Sequence, residues 1–250
     1  MTPWLSRNPS KAWGEKFFLL YTPFWIAGMA ALMKSGAGAR WGDLALNAAT
    51  LGLLAPALLV PALLRRERRP YWLKFNLWIA IFSGIGSYFG SEYFFDVLGM
   101  RYDYPHLRWT LDSALLGSGR QSVPLIMYWS AHYYFLSYHT LAVIALRRIP
   151  AALRPLAVLP LGYSFAWTET FFMTDSSIAG QFGYQDLARM LRYGSLVYAC
   201  YFVVSFPMVY RLDEGPGDDW GYGRTALDAL AAGMLVLLLL DVVTHAIGTL

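Results

Sequence analysis

Long apolar blocks separated by short charged clusters restrict the folding of this chain more than any other feature. The blocks lie near residues 17–33, 44–64, 73–95, 123–146, 156–174, 191–210 and 226–247. Each is long enough to cross about 30 Å of hydrocarbon as a helix. Charged residues make up only 14% of the chain, against about 25% in soluble domains. The sequence therefore predicts an all-α fold, a polytopic membrane helix bundle of about seven transmembrane helices, formed by residues 1–250 as a single domain.

The cations of the chain lie mainly between the apolar blocks, where they meet lipid headgroups rather than nucleic acid. In a seven-helix arrangement, 13 Lys and Arg residues fall on the side of the N-terminus and 7 on the other side. Because positively charged loops stay in the cytoplasm, we expect a cytoplasmic N-terminus. The membrane is expected to be the inner membrane in a bacterium or the endoplasmic reticulum in a eukaryote. Residues 1–16 lack the apolar core of a cleavable signal peptide, so the first helix is expected to direct insertion.

Polar side chains inside the apolar blocks are the candidate functional positions. An ionised group at a helix centre costs roughly 2.5–3.5 kcal/mol, so each must face a partner or a cavity. They are Asn76, Glu92, His132, His139, Glu169, Asp228 and Asp241. His132 and His139 are seven residues apart and share a helix face with Tyr128. Their axial separation of about 10 Å prevents both from binding one metal ion, so no metal site is expected.

Glu169 lies between two threonines in a stretch rich in aromatic residues. Apolar surroundings favour the neutral form of a carboxyl group, so Glu169 is a candidate acid, and an ion pair with Arg192 is the alternative. Glu92 is a second candidate acid, or else part of an interfacial polar cluster with Asp96. The two histidines are either proton carriers or buried imidazoles bonded to neighbouring helices. The loop at 96–122 is either a lid over the bundle or a surface loop.

Strings of residues in a fixed order along nearly the whole chain carry a resemblance to a known family. Near the start they read Asn8-Pro9-Ser10-Lys11-Ala12-Trp13-Gly14-Glu15 and Phe17-Phe18-Leu19-Leu20-Tyr21-Thr22-Pro23-Phe24-Trp25. Further strings are Tyr71-Trp72-Leu73-Lys74, Asn76-Leu77-Trp78-Ile79, Tyr93-Phe94-Phe95, Tyr138-His139, Glu169-Thr170, Ser205-Phe206-Pro207-Met208 and Asp213-Glu214. In this combination the sequence resembles the cycloeucalenol cycloisomerase family.

The resemblance implies opening of the 9,19-cyclopropane ring of a 4α-methyl sterol, which turns cycloeucalenol into obtusifoliol without a redox change. It implies a sterol substrate, surrounding membrane lipid, no cofactor and no nucleic-acid partner, and it leaves the oligomeric state open. For this reaction Glu169 is the expected acid, with Glu92 as the alternative. His132 or His139 is the expected base or proton relay.

Six further side chains are expected to bind or shape the sterol: Asn76, Trp78, Tyr128, Tyr138, Trp167 and Arg192. Aromatic faces stabilise a carbocation by roughly 0.5–2 kcal/mol each, which is the role expected of the two tryptophans and Tyr138 unless they only pack. Asn76 would orient the acid or the sterol 3-hydroxyl, or else bond two helices together. A non-catalytic sterol or lipid carrier is the alternative function. A retinal photoreceptor is disfavoured because all four lysines lie at or before residue 74.

Overall fold

The structure, a computed structural model, describes residues 3–248. Its helices are α1 (Pro9–Lys34), α2 (Ala37–Arg40), α3 (Asp43–Leu64), α4 (Tyr71–Ile85), α5 (Ser91–Asp96), α6 (Leu125–Arg148), α7 (Arg154–Met173), α8 (Leu187–Arg189), α9 (Ser195–Tyr210) and α10 (Tyr222–Ile247). Two short strands, β1 (Met100–Tyr102) and β2 (Phe182–Tyr184), pair antiparallel with Arg101 opposite Gly183. The all-α prediction is confirmed, because helices form the bundle and the small sheet only joins two loops.

Two of the long helical stretches pass through a π-helical turn. Gly86–Gly90 joins α4 to α5, and Met190–Gly194 joins α8 to α9. A β-carbon at Gly90 would overlap the hydroxyl of Tyr201 on α9. Glycine at this position therefore lets α9 pack closely against the first π-helical turn, a type of turn that is frequent at functional sites.

Within residues 3–248, four helical stretches are long and apolar enough to cross a membrane by length and composition. They are Pro9–Lys34, Asp43–Leu64, Leu187–Tyr210 and Tyr222–Ala246. They match the first, second, sixth and seventh predicted blocks. The other three blocks also form helices, but α4 has only 15 residues, and α6 and α7 contain ionisable side chains between their ends.

The first helix begins well before the start predicted at residue 17. Asn8 caps it, because its side-chain oxygen accepts hydrogen bonds from the backbone N–H of Ser10 at 3.0 Å and of Lys11 at 3.3 Å. Pro9 fits the first turn, where its missing N–H is not needed. The prediction was wrong here because it followed hydropathy, whereas the first turns of α1 carry charges that pair inside the protein.

At one end of the bundle, ion pairs connect Lys11, Glu15, Arg147 and Glu214, which we call the buried ion network. Arg147 Nη2 lies 2.5 Å from Glu15 Oε1, and Arg147 Nε lies 2.7 Å from Glu214 Oε1. Lys11 Nζ lies 2.9 Å from Glu214 Oε2 and also donates to two backbone carbonyl groups near the end of α9. The network therefore joins α1 and α6 to the segment that follows α9.

Loops close the opposite end of the bundle. The β1–β2 sheet connects the loop after α5 to the segment before α8. Asp43, at the start of α3, accepts a hydrogen bond from the backbone N–H of Trp109 at 2.8 Å. Asp96 accepts hydrogen bonds from the backbone N–H and the hydroxyl of Ser118, at 2.8 and 2.6 Å. The long helical stretches thus run between an end closed by ion pairs and an end closed by loops.

Candidate functional site

A partly open cavity with an empty volume of about 780 Å³ lies between α5 with the π-helical turn before it, α6, α7 and α9, and against the two-stranded sheet. Five tyrosines and three serines contribute to its lining: Tyr102, Tyr134, Tyr184, Tyr198, Tyr201, Ser87, Ser91 and Ser130. We call this cavity the tyrosine chamber. Among the described residues that line it, Glu169 supplies the one carboxyl group.

A larger groove, with an empty volume of about 1240 Å³, lies between α1, α6 and α7. Its lining is mainly apolar and includes Trp25, Met29 and Met33. Ile26 and Phe172 in this lining are 48% and 67% exposed. The groove therefore opens on the outer surface of the bundle, where a membrane places lipid, and we call it the lateral groove.

Glu169 lies between these two spaces. Together with Tyr134 and Met173 it lines both the tyrosine chamber and the lateral groove. The hydroxyl of Tyr198 donates a hydrogen bond to Glu169 Oε2 at 2.5 Å. A hydroxyl in this position stabilises the carboxylate that remains once the carboxyl group has given up its proton.

Close packing of α7 on α9 brings Glu169 and Tyr198 together. Gly162 lies about two turns before Glu169, and a β-carbon there would be 3.1 Å from Cβ of Phe202 on α9. Glycine at such a crossing lets two helix backbones approach. Tyr198 lies about one turn before Phe202 on the same helix, so its hydroxyl reaches the carboxyl group.

Arg192, the alternative partner considered for Glu169, is exposed on the second π-helical turn. Within residues 3–248, the side chain bonded to Glu169 is the hydroxyl of Tyr198 rather than a guanidinium group. The carboxyl group thus lies among aromatic rings and hydroxyls, without a cation bonded to it in the part of the chain described. This is the setting that favours an acid over an ion-paired carboxylate.

His132 is buried between α6 and α4. Its Nε2 lies 2.9 Å from Asn76 Oδ1, while Asn76 Nδ2 donates to the carbonyl oxygen of Trp72 at 2.9 Å. Because the amide NH₂ group is the donor there, the Asn76 oxygen accepts, and His132 Nε2 carries the proton. The ring lies outside the linings of both the chamber and the groove.

His139 lies two turns further along α6, in the aromatic core. Its Nδ1 donates to the carbonyl oxygen of Phe135 at 2.8 Å, and its Nε2 lies 2.8 Å from the hydroxyl of Ser205. Trp78 and Phe82 lie beside its ring, with centroid distances of 5.7 and 5.8 Å. Like His132, this ring lies outside both linings. The structure therefore does not bring either histidine next to Glu169.

Glu92 lies apart from Glu169, below the loop that follows α5. It lines a small separate cavity with Asp96, Leu116 and Gly117. Gly117 has a φ of +88°, and a β-carbon there would overlap the Glu92 carboxyl group. The neighbouring Ser91 faces the tyrosine chamber instead. The two candidate acids thus belong to different sites.

The remaining predicted residues occupy four different surroundings. Trp78 is buried and donates from Nε1 to Asp228 at 3.1 Å. Tyr128 donates to the carbonyl oxygen of Leu111 at 2.6 Å and so anchors the long loop. Tyr138 lines the lateral groove, and Trp167 is 39% exposed on the outer face of α7. Of these four side chains, Tyr138 alone belongs to the lining of the chamber or of the groove.

The loop at 96–122 has two parts with different positions. Met100 and Tyr102 on β1, with Phe182 and Tyr184 on β2, line the tyrosine chamber. The sheet therefore forms a roof over the chamber. The later part of the loop covers Glu92, where Gly117 lies against the carboxyl group.

The tyrosines of the chamber are the site residues that the sequence did not single out. Tyr198 and Tyr201 are three residues apart on α9, a spacing that places them on neighbouring parts of one face. That signal is weak in a chain with 17 tyrosines. In the part of the chain described, no group of three or more His, Cys, Asp or Glu side chains is arranged to hold a metal ion.

The chain is similar to a curated protein from Arabidopsis thaliana that is named cycloeucalenol cycloisomerase. The two are 38% identical over 259 residues, in an alignment that covers 95% of this chain and 87% of the relative. No family model matches the chain. No solved structure matches it either.

Proposed function

The chain belongs to the cycloeucalenol cycloisomerase family and is an isomerase, and from this premise we propose that it opens the 9,19-cyclopropane ring of a 4α-methyl sterol, converting cycloeucalenol into obtusifoliol. The observation that carries the proposal is the position of Glu169, between a chamber lined by tyrosines and a groove open to the bundle surface. A sterol is apolar apart from one hydroxyl, so it reaches such a site from the bilayer.

In the proposed reaction Glu169 donates the proton that opens the ring. A cyclopropane is a very weak base, so its acid must be neutral beforehand and held in a site that excludes water. The proton adds to C-19, the electron pair of the bond between C-9 and C-19 forms the new C–H bond, and a tertiary cation is left at C-9. Relief of ring strain favours this step, and the hydrogen bond from Tyr198 stabilises the resulting carboxylate.

Aromatic rings around the chamber are suited to stabilise the cation. Phe94, Tyr134 and Phe135 line it beside the tyrosines of α9. A cation over an aromatic face gains roughly 0.5–2 kcal/mol per well-placed ring. The lining of this space is mainly apolar, and a bound sterol that fills it displaces the water that would quench the intermediate.

Loss of a proton from C-8 completes the proposed reaction and forms the double bond between C-8 and C-9. His132 and His139 are the bases predicted from the sequence, and that assignment stays a prediction. Both rings lie outside the chamber lining, so either would act through a proton carrier between it and the sterol. The carboxylate of Glu169 is a second candidate base, since it already lies beside the reacting carbons in this proposal.

Turnover in heavy water tests the function and the mechanism together. We expect the purified protein to convert cycloeucalenol to obtusifoliol without added nucleotide, flavin or metal, and to place one deuteron in the new C-19 methyl group. The deuteron is expected because the proton of a carboxyl group exchanges with solvent before transfer. Mass spectrometry and NMR of the product give both readouts. A carrier would return the sterol unchanged, and loss of activity on chelation or a C-19 methyl free of deuterium would contradict the mechanism.

We also propose that the helices of all seven predicted blocks cross the membrane, with the N-terminus in the cytoplasm. Arg68, exposed between α3 and α4, and Leu115, exposed after α5, lie at opposite ends of the bundle. In a Cys200→Ala background, we expect Arg68→Cys to react with a membrane-impermeant thiol reagent from the cytoplasmic side. Leu115→Cys should react from the other side. Labelling of both from one side would contradict the seven-helix topology.

A further inference from the structure

The hydroxyl of Tyr201 is buried without a hydrogen-bond partner among the described residues. Tyr201 is 3% exposed and lines the tyrosine chamber together with Glu169. Its oxygen lies against Gly90. A β-carbon at position 90 would overlap this oxygen, so only glycine leaves room for it. Buried polar groups in folded proteins are nearly always paired, so an unpaired hydroxyl on a side chain that lines a cavity needs an explanation, and a bound ligand supplies one.

The geometry points to Tyr201 as the residue that binds the sterol 3-hydroxyl and so determines which end of the substrate enters the chamber, an inference that rests on the proposed function. In the sterol, the 3-hydroxyl lies on ring A and the cyclopropane lies next to that ring. The hydroxyl and the reacting methylene are therefore at the same end of the molecule, and the alkyl side chain is at the other end. A site that recognises the hydroxyl thus also places the cyclopropane.

The chamber and the lateral groove beside Glu169 differ in polarity, as the hydroxyl end and the alkyl side chain of the sterol do. The chamber lining contains several side chains that carry a hydroxyl, among them Tyr201, whose hydroxyl is unpaired. The lateral groove is larger and mainly apolar. Its hydroxyls on Thr22 and Ser137 already bond to each other at 2.8 Å, and its other polar side chains include Thr168, Lys34 and Asp175. Ring A therefore fits the chamber, the side chain fits the groove, and Glu169 lies at the junction near the cyclopropane. The reverse orientation would leave Tyr201 unpaired.

The orientation has a direct consequence for specificity. Because the groove opens to the membrane, changes in the sterol side chain are expected to alter turnover little. Removal of the 3-hydroxyl leaves a buried hydroxyl of the protein without a partner, and sites built to bind a hydroxyl reject analogues that lack it. We therefore expect the wild-type protein to prefer 3-hydroxy sterols strongly over 3-deoxy analogues.

A substrate pair and a variant pair test the assignment. We expect Tyr201→Phe to raise the KM for cycloeucalenol about tenfold and to leave the KM for its 3-deoxy analogue unchanged. Tyr21→Phe is the matched control, because its hydroxyl donates to the carbonyl oxygen of Leu53 at 2.7 Å, away from the chamber. Equilibrium binding of both sterols is measured in a Glu169→Gln background, where turnover does not interfere. Since no hydrogen bond is lost in the free protein, the Tm of Tyr201→Phe should not fall.

The outcomes separate this inference from the proposed function. Equal loss of affinity for both sterols in Tyr201→Phe, or equal affinity of the wild type for both, would overturn the assignment of Tyr201. A greater sensitivity to side-chain truncation than to loss of the 3-hydroxyl would indicate the reverse orientation and would also overturn it. Binding that depends on Tyr201 and the 3-hydroxyl, but without conversion of cycloeucalenol, would support the assignment and refute the proposed reaction.

Discussion

Glu169→Gln is expected to lower turnover by about 10³-fold or more, while the protein stays folded and binds sterol. The amide keeps the size of the side chain and can accept the hydrogen bond from Tyr198, but it has no acidic proton to give. Single-turnover assays with cycloeucalenol, together with equilibrium binding of the same sterol, measure the two effects separately. The rate should fall with little change in affinity, which is the pattern of an interaction needed for the chemical step.

Three comparison variants locate the acid. Glu92→Gln should keep near-wild-type activity, because Glu92 lines a separate cavity under the loop after α5. Tyr198→Phe should slow turnover about tenfold, because the carboxylate of Glu169 loses one hydrogen bond. Near-full activity in Glu169→Gln with loss of activity in Glu92→Gln would show that the acid lies below that loop. If neither glutamate change matters, a protonated histidine becomes the donor to test, starting with His132→Asn.

Arg147→Met is expected to lower the free energy of unfolding by about 3–5 kcal/mol, the largest stability effect we anticipate. Arg147 and Glu15 have side chains that are only 4% and 1% exposed. Removing the guanidinium group leaves the Glu15 carboxylate buried without its main counter-charge. Unfolding in detergent micelles, followed by circular dichroism against denaturant, measures the change.

The double variant Glu15→Leu with Arg147→Met tests whether the loss of stability comes from the unpaired charge of Glu15. If the cost comes from an uncompensated buried charge, the double variant should be more stable than Arg147→Met alone, since apolar pairs of similar size often replace buried ion pairs well. Arg66→Ala, at an exposed position, should change stability by less than about 0.5 kcal/mol. Equal destabilisation in the single and double variants would indicate that packing, rather than charge, sets the effect.

Low pH should weaken the buried ion network through protonation of Glu214. Burial acts to raise the pKa of Glu214, but hydrogen bonds from Arg147 and the charge and hydrogen bond of Lys11 outweigh it and lower the pKa below its ordinary value of 4.5. A carboxyl group whose folded pKa lies below its unfolded value adds stability at neutral pH, and this is lost as the pH falls through the folded pKa. The contribution of Glu214 should therefore disappear only below about pH 4.5.

The buried ion network also explains part of the family resemblance. Lys11 and Glu15 belong to the string near the start of the chain, and Glu214 to the string near its end. The structure places all three with Arg147 at the end of the bundle opposite the sheet that roofs the chamber. These strings therefore specify how the helices are joined, whereas Glu169, with Thr170, lies in the chamber itself.

The sequence alone was enough to predict helices, their approximate positions and one candidate side chain, Glu169, that the structure places in the linings of both the chamber and the groove. Apolar runs of about 20 residues can satisfy their backbone groups in lipid only within the run itself, so length and hydropathy predict helices without knowledge of neighbours. A carboxyl group within such a run is costly unless it faces a partner or a cavity, and the aromatic surroundings of Glu169 made it the first candidate among the carboxyl groups found this way. The start of α1 was also present in the sequence, as Asn8 followed by Pro9, but hydropathy does not register a helix cap.

Only the tertiary structure decided which polar side chains share a space. His132 bonds to Asn76 and His139 to Ser205, partners separated by 56 and 66 residues in the chain. Tyr198 reaches Glu169 across 29 residues, where α7 and α9 pack closely at Gly162. When most faces of a helix are apolar, periodicity does not tell which face turns inward. The chamber therefore depends on how the helices rotate and cross, and that is set by packing between segments far apart in sequence.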